Sequence, residues 1–170
     1  MKEDYGLFVW PCSIVLAKYV WQQRSRFSGN DVVELGAGTC LPGLMQYTFV
    51  CTVYMFCLIY IQVLENMRTV CELNKLKCEV LGLTWGSWDK SIFSLHPKII
   101  LGADDVYDAR AFDDLFATMT FLLQSNSGSV FITTYHNRSH HLIEFLMVKW
   151  GLKCVKLVDG FSLLPSDKGS

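Results

Sequence analysis

The apolar residues of this chain fall into short blocks whose spacing alternates between two periods. Between positions 8 and 21, Val9, Ile14, Val15, Ala17, Tyr19 and Val20 form a dense set interrupted by Lys18 and closed by Gln22. That pattern predicts a mostly buried helix starting near Pro11, where the fixed φ of proline suits a first helical turn. The turn signal Ser28-Gly29-Asn30 then introduces Asp31-Val32-Val33-Glu34-Leu35, a short β-branched strand. Glycines follow at once, and a helix is predicted to open near Leu41 and Pro42. Further on, the spacing of Leu64, Met67, Val70 and Leu73 predicts a helix over 63–75. Strand-like runs follow at 78–84, 98–103 and 130–134, with helices at 112–124 and 142–150 and a last strand at 152–158.

Strand and helix alternate at this spacing, which predicts an α/β fold with a parallel sheet covered by helices on both faces. In such sheets, ligands bind beyond the carboxyl ends of the strands. That rule directs attention to Glu34-Leu35-Gly36, Thr84-Trp85-Gly86, Ala103-Asp104 and Thr134-Tyr135.

The length of 170 residues fits one domain spanning 1–170, and 51% hydrophobic against 18% charged residues excludes a disordered chain. A net charge of −1 with no basic stripe argues against direct nucleic-acid binding. The seven cysteines contain no C-x-x-C pair and match no zinc spacing, so they read as reduced, mostly buried residues of an intracellular protein. His136, His140 and His141 form no metal constellation with acids or cysteines, and no metal is expected. The opening Met-Lys-Glu-Asp-Tyr carries acid where a signal peptide carries base, and the sequon Asn137-Arg138-Ser139 has little weight without a secretory signal.

The strongest local signal is Glu34-Leu35-Gly36-Ala37-Gly38-Thr39-Cys40-Leu41-Pro42-Gly43. Glycines at 36 and 38 let the backbone turn sharply and approach a ligand closely, and a helix starting near Leu41 would aim free N–H groups at that ligand. G-x-G after a strand is equally compatible with an ordinary tight turn.

With its neighbours, Glu-Leu-Gly-Ala-Gly-Thr resembles the first motif of class I, seven-stranded S-adenosylmethionine-dependent methyltransferases. Leu41-Pro42-Gly43 and the upstream Trp10-Pro11 narrow the resemblance to methyltransferase-like family sixteen, which consists largely of protein methyltransferases. Gly82-Leu83-Thr84-Trp85-Gly86 is similar to its adenine-contacting loop, and Asp104-Asp105-Val106-Tyr107 to its D-x-x-Y motif. Phe112-Asp113-Asp114-Leu115 and Thr133-Thr134-Tyr135 bring the chain nearest to the methyltransferase-like protein twenty-three subgroup, in a plant-like form.

The resemblance implies a Rossmann-like sheet with S-adenosyl-L-methionine as cofactor. Its cofactor-binding residues would be Trp10, Glu34, Gly36, Ala37, Gly38, Trp85, Gly86 and Ala103, with Asp104 and Tyr107 catalytic. Glu34 would hold the amino end of the cofactor's methionine part. Trp85 would stack on or edge the adenine, or else be a core tryptophan beside a turn. Asp104 and Tyr107 would align a side-chain nitrogen with the methyl group, although Asp104 could instead cap the following turn. Tyr135 and Arg138 would line the same mouth. The implied activity is methylation of a protein side-chain nitrogen, arginine or lysine. The expected substrate is a protein such as a histone or a chaperone-like protein, met in cytoplasm and nucleus without a membrane.

The family pattern breaks in one place. From Glu34 to Glu65 no charged residue or histidine intervenes, and 47–61 is almost continuously apolar. The second strand is expected here, ending in an acid that holds the ribose hydroxyls. The nearest polar residue is Gln62, a poorer partner for two hydroxyls than a carboxylate. Three readings compete: a diverged strand and helix, foreign sequence replacing the strand, or a membrane span. The sharp limits of the break favour the second. The family also expects a final hairpin strand after 161–165, so the sheet is expected to lack its last strand. A catalytically impaired product acting as a protein-binding module is the alternative function.

Overall fold

The computed structural model describes residues 7–46, 52–57, 61–76, 78–88, 90–105, 110–136 and 140–163. Helices α1 (Pro11–Gln22) and α2 (Arg24–Phe27) lead into β1 (Asp31–Leu35), α3 (Leu41–Gln46) and β2 (Thr52–Cys57). The chain continues through α4 (Ile61–Leu73), β3 (Cys78–Gly82), α5 (Lys90–Phe93) and β4 (Ile99–Ala103). It ends in α6 (Phe112–Gln124), β5 (Val130–Thr134), α7 (His140–Lys149) and a 3-10 turn at Gly160–Leu163. Proline stands first in α1, as its fixed φ favours.

Among the described residues five strands form one parallel sheet in the order β3-β2-β1-β4-β5. The chain order reverses beside β1, so the crevice above β1 and β4 is the topological switch point where ligands of open α/β sheets bind. Side chains alternate across the sheet with a period of two. Val33, Leu35 and Ile100 therefore face a core of Leu115, Phe116, Met119 and Leu122 from α6. Val32, Ile99 and Leu101 turn the other way, onto Leu16 and Val20 of α1 and Phe27 of α2. A third cluster packs Val63, Leu64, Met67 and Cys71 of α4 against Ala37 and Cys40. Helices thus cover both faces, as the alternating pattern predicts.

Two expectations need correction or comment. The run at 152–158, expected as a last strand, joins no sheet; β5 pairs only with β4 among the described residues. Apolar alternation alone does not make a strand without a partner ladder, and Val155 is left 91% exposed. The apolar segment at 47–61, for which a foreign replacement is the favoured reading, nevertheless carries a strand in the expected place. There β2 pairs with both β1 and β3, from Val53 against Val32 to Cys57 against Gly82. A strand central in a parallel sheet is expected to read as a continuous apolar run, so an apolar sequence at 52–57 needs no membrane. Among the described residues no helix is long and apolar enough to cross one.

Candidate functional site

β1 and β4 are neighbours, with Leu35 opposite Gly102, so the loops that follow them emerge side by side. The first is the glycine turn. Gly36 and Gly38 have φ of +60° and +48°, and Cys40 follows at +61°, closed by a 2.6 Å hydrogen bond from its N–H to the Ala37 carbonyl. The second turn begins at Asp104, whose φ is +58°. Aspartate tolerates this left-handed region better than most residues. Its N–H donates to the Thr134 carbonyl at 2.8 Å, fixing the turn to the end of β5. Thr134 in turn donates from Oγ1 to the Cys12 carbonyl at 2.9 Å, tying that strand end to α1.

Three carboxyls meet between these turns. Glu34 is 1% exposed and Asp105 3% exposed, with Asp104 beside them. Burial pushes the Glu34 carboxyl up to about 8, partly offset by a hydrogen bond from the Gly43 N–H. The first turn of α3 therefore spends that N–H on Glu34 rather than leaving it open to a ligand. Asp105 is held well above the ordinary carboxylate range, first by burial and then by the charges of Glu34 and Asp104. Glu34 Oε2 and Asp105 Oδ2 are buried acceptors without a hydrogen-bond partner. Such orphaned oxygens cost free energy unless something positive or proton-donating meets them.

The glycines explain how the third carboxyl fits. A Cβ on Gly36 would run into the Asp105 carboxyl, and one on Gly102 would meet the same carboxyl together with the Phe131 ring. Asp105 is thus wedged between the two strand ends. Sequence reasoning missed it, carrying it only as the second residue of the D-x-x-Y motif. The signal that could have found it is a second acid following an apolar strand that ends Leu-Gly-Ala.

Of the other predicted site residues, Gly36, Ala37, Gly38, Ala103 and Asp104 come together with Glu34 at this switch point. Trp10 is half-buried at the start of α1. Trp85 is 7% exposed and packs in the main core with Leu83, Ile92 and Leu115, so most of its ring is committed to packing. Gly86 follows at φ +75°, and its N–H donates to Thr118 Oγ1 at 2.9 Å. Tyr107, the second predicted catalytic residue, lies outside the described residues, as does Arg138. Tyr135 packs against the core. Gln62 is exposed near the start of α4. Among the described residues no group of histidine, cysteine and acid side chains could hold a metal ion. A groove of about 580 Å³ between α1, α3 and the 3-10 turn, lined by Ile14, Trp21, Leu41, Met45 and Leu163, includes none of the predicted site residues.

Glycine turns that bring together buried carboxyl oxygens without partners fit a ligand that brings positive charge. S-adenosylmethionine carries both an ammonium and a sulfonium, and fits on that ground.

Comparison with known proteins points the same way. Residues 1–149 match the family described as "Lysine methyltransferase". The mouse protein named "Histone-arginine methyltransferase METTL23" is 40% identical over 161 residues, covering 92% of this chain and 64% of its own length. The human protein of the same name is 37% identical over 157 residues, covering 89% of this chain and 82% of its own length. Among solved structures, a precorrin 8W decarboxylase from Methanobacterium thermoautotrophicum superposes with a TM-score of 0.64 at 10% identity, over 84% of this chain and 74% of its own. CalS10 from Micromonospora echinaspora, an amino pentose methyltransferase solved with S-adenosylmethionine bound, gives 0.52 at 11% identity, over 73% and 49%. At those identities the likeness is one of fold.

Proposed function

The chain belongs to the lysine methyltransferase family of class I S-adenosylmethionine-dependent enzymes, and we propose that it methylates a side-chain nitrogen of a protein. The observation that carries this reading is the convergence of the Glu34–Gly38 turn with the Asp104–Asp105 turn above adjacent β1 and β4. Arginine of a histone is the first substrate to test, since relatives bearing that name are 37–40% identical. Lysine is the runner-up, because the mouse "Protein N-lysine methyltransferase METTL21A" is 32% identical over 132 residues. Action on a histone would place the chain in the nucleus as well as the cytoplasm.

Glu34 and the turn through Gly36, Ala37 and Gly38 hold the methionine end of the cofactor. Ala103 and Trp10 would bound the methionine side, and the backbone of the Trp85-Gly86 turn would meet the adenine. When bound, S-adenosylmethionine supplies an electrophilic methyl group on sulfonium. Asp104 would accept a hydrogen bond from the substrate nitrogen and orient it toward the methyl group, and Tyr107 would be its partner in that role. The acceptor nitrogen would give up one proton to solvent in exchange for the methyl group. Alignment is the larger contribution, because the sulfonium is already a strong electrophile.

The test is calorimetric binding of S-adenosylmethionine to the purified chain, followed by transfer of labelled methyl to core histones. Gly36→Arg is the control in both. Micromolar binding, with label on arginine and both signals lost in the control, is the expected result. A second reading rests on one observation: residues 58–62, Leu-Ile-Tyr-Ile-Gln, supply no carboxylate after β2 for the ribose hydroxyls. A folded chain that binds no cofactor would favour that reading, a protein-binding module without catalysis.

A further inference from the structure

We propose that Asp105 is a further cofactor-recognising residue, whose wedged carboxyl answers the positive sulfonium of the methyl donor and so favours that donor over its neutral thioether product. The inference rests on the cofactor reading above and adds a residue and a source of selectivity to it.

Asp105 follows Asp104 directly, and its carboxyl fills the space that side chains on Gly36 and Gly102 would occupy. It is 97% removed from solvent in effect, at 3% exposure, and its Oδ2 has no hydrogen-bond partner. Glu34 Oε2 is buried and unpartnered in the same way. The charged groups that act on Asp105 are both acids, Glu34 from β1 and Asp104 from the end of β4. Glu34 itself faces the Gly43 N–H of α3, and the Cys71 thiol of α4 lies near it. A buried acid in such company holds its proton, because ionising it would place like charges together in a medium of low dielectric. A cation entering the crevice reverses that balance. It supplies the missing counter-charge, and the carboxyl ionises by giving its proton to solvent.

Two consequences follow from linkage. Binding of the sulfonium donor releases protons near neutral pH, so affinity rises with pH until the free carboxyls ionise unaided, which for Glu34 is about 8. The product S-adenosylhomocysteine keeps its ammonium but has lost the sulfonium charge, and so releases fewer protons and binds less tightly.

Calorimetry on the full chain at pH 7, in two buffers of different ionisation enthalpy, counts these protons for S-adenosylmethionine and for S-adenosylhomocysteine. The wild type is expected to release more protons with the donor than with the product. In Asp105→Asn the donor-over-product affinity ratio is expected to fall about tenfold, the effect of one pKa unit of charge interaction. Equal proton counts for the two ligands, or an unchanged ratio in the variant, would overturn the proposal while leaving the cofactor reading intact. If Asp105→Asn fails to fold, the wild-type proton counts decide alone. A folded wild type that binds neither ligand would overturn the cofactor reading and this inference with it.

Discussion

The space above Gly36 belongs to Asp105: a Cβ added to the glycine would enter the carboxyl of a residue sixty-nine positions later in the chain. The glycine is therefore required twice, by that contact and by its φ of +60°. Gly36→Ala is expected to destabilise the protein by about 1–3 kcal/mol, combining left-handed backbone strain with displacement of a buried carboxyl. Asp105→Ala removes the second cost and leaves the first. Urea unfolding of the wild type, both single variants and the double variant should show a coupling of about 1 kcal/mol between the two sites. Strict additivity would mean that the carboxyl does not occupy that space in solution.

Much of this arrangement was legible in the sequence, and the limits of legibility have physical causes. β1, α6 and β5 fall where their patterns put them, because each is a strongly periodic segment bounded by turn residues. The Gly36–Gly38 turn and Asp104 were located by rule, since ligand sites of parallel sheets lie at strand ends. Asp105 could not be read, and for Trp85 the core alternative could be named but not chosen. How deeply a second consecutive acid is buried depends on the backbone turn at Asp104, and whether a tryptophan packs or faces a ligand depends on helices distant in sequence. The run at 152–158 misled for a related reason, since its alternation predicts a strand only if a neighbour offers a ladder.

Glu34 makes stability depend on pH in an unusual direction. Its carboxyl ionises near the ordinary value of 4.5 when unfolded but at about 8 when folded. Between those values the native state binds the extra proton, so the stabilising contribution is complete below pH 4.5 and is lost as pH rises through 8. The slope has a ceiling of about 1.4 kcal/mol per pH unit for one proton. Asp105, raised first by burial and then by the charges of Glu34 and Asp104, acts in the same direction. Glu34→Gln keeps an acceptor for the Gly43 N–H and removes the titration. Urea midpoints at pH 5, 6, 7 and 8 should therefore fall less steeply in the variant than in the wild type. Parallel profiles would show that Glu34 is solvated and ordinary.

Thr118 supports the Gly86 turn from beneath. Its Oγ1 accepts from the Gly86 N–H and donates to the Asp114 carbonyl, both at 2.9 Å. Thr118→Val preserves the shape and leaves the Gly86 N–H without that partner. The expected cost is about 1–3 kcal/mol, the penalty for an unmet polar group. Thr118→Ser keeps the hydroxyl and should recover most of it. On the proposed function, the valine variant also weakens S-adenosylmethionine binding, because the turn beside Trp85 loses its anchor. Thermal melts and calorimetry test the two effects separately; a valine variant as stable as the wild type would remove the anchor from the account.

The thiols offer a test that needs no ligand. Cys40 and Cys71 are buried in the cluster that backs the glycine turn, and Cys78 packs against it. Cys71 lies within hydrogen-bonding reach of both Cys40 and Cys78, and burial is the first of several causes that push it up to about 12. Attack on an alkylating reagent requires the thiolate, so Cys71 should be inert at neutral pH while the protein is folded. Cys154, in the exposed run after α7, should react first. Timed alkylation followed by peptide mass spectrometry should show Cys154 modified within minutes. Cys40 and Cys71 should be modified only at the rate of unfolding, and urea at the unfolding midpoint should bring both to the rate of Cys154. Early labelling of Cys40 in native buffer would mean that the glycine turn opens without global unfolding, and the rigid Gly36–Asp105 wedge would then have to be abandoned.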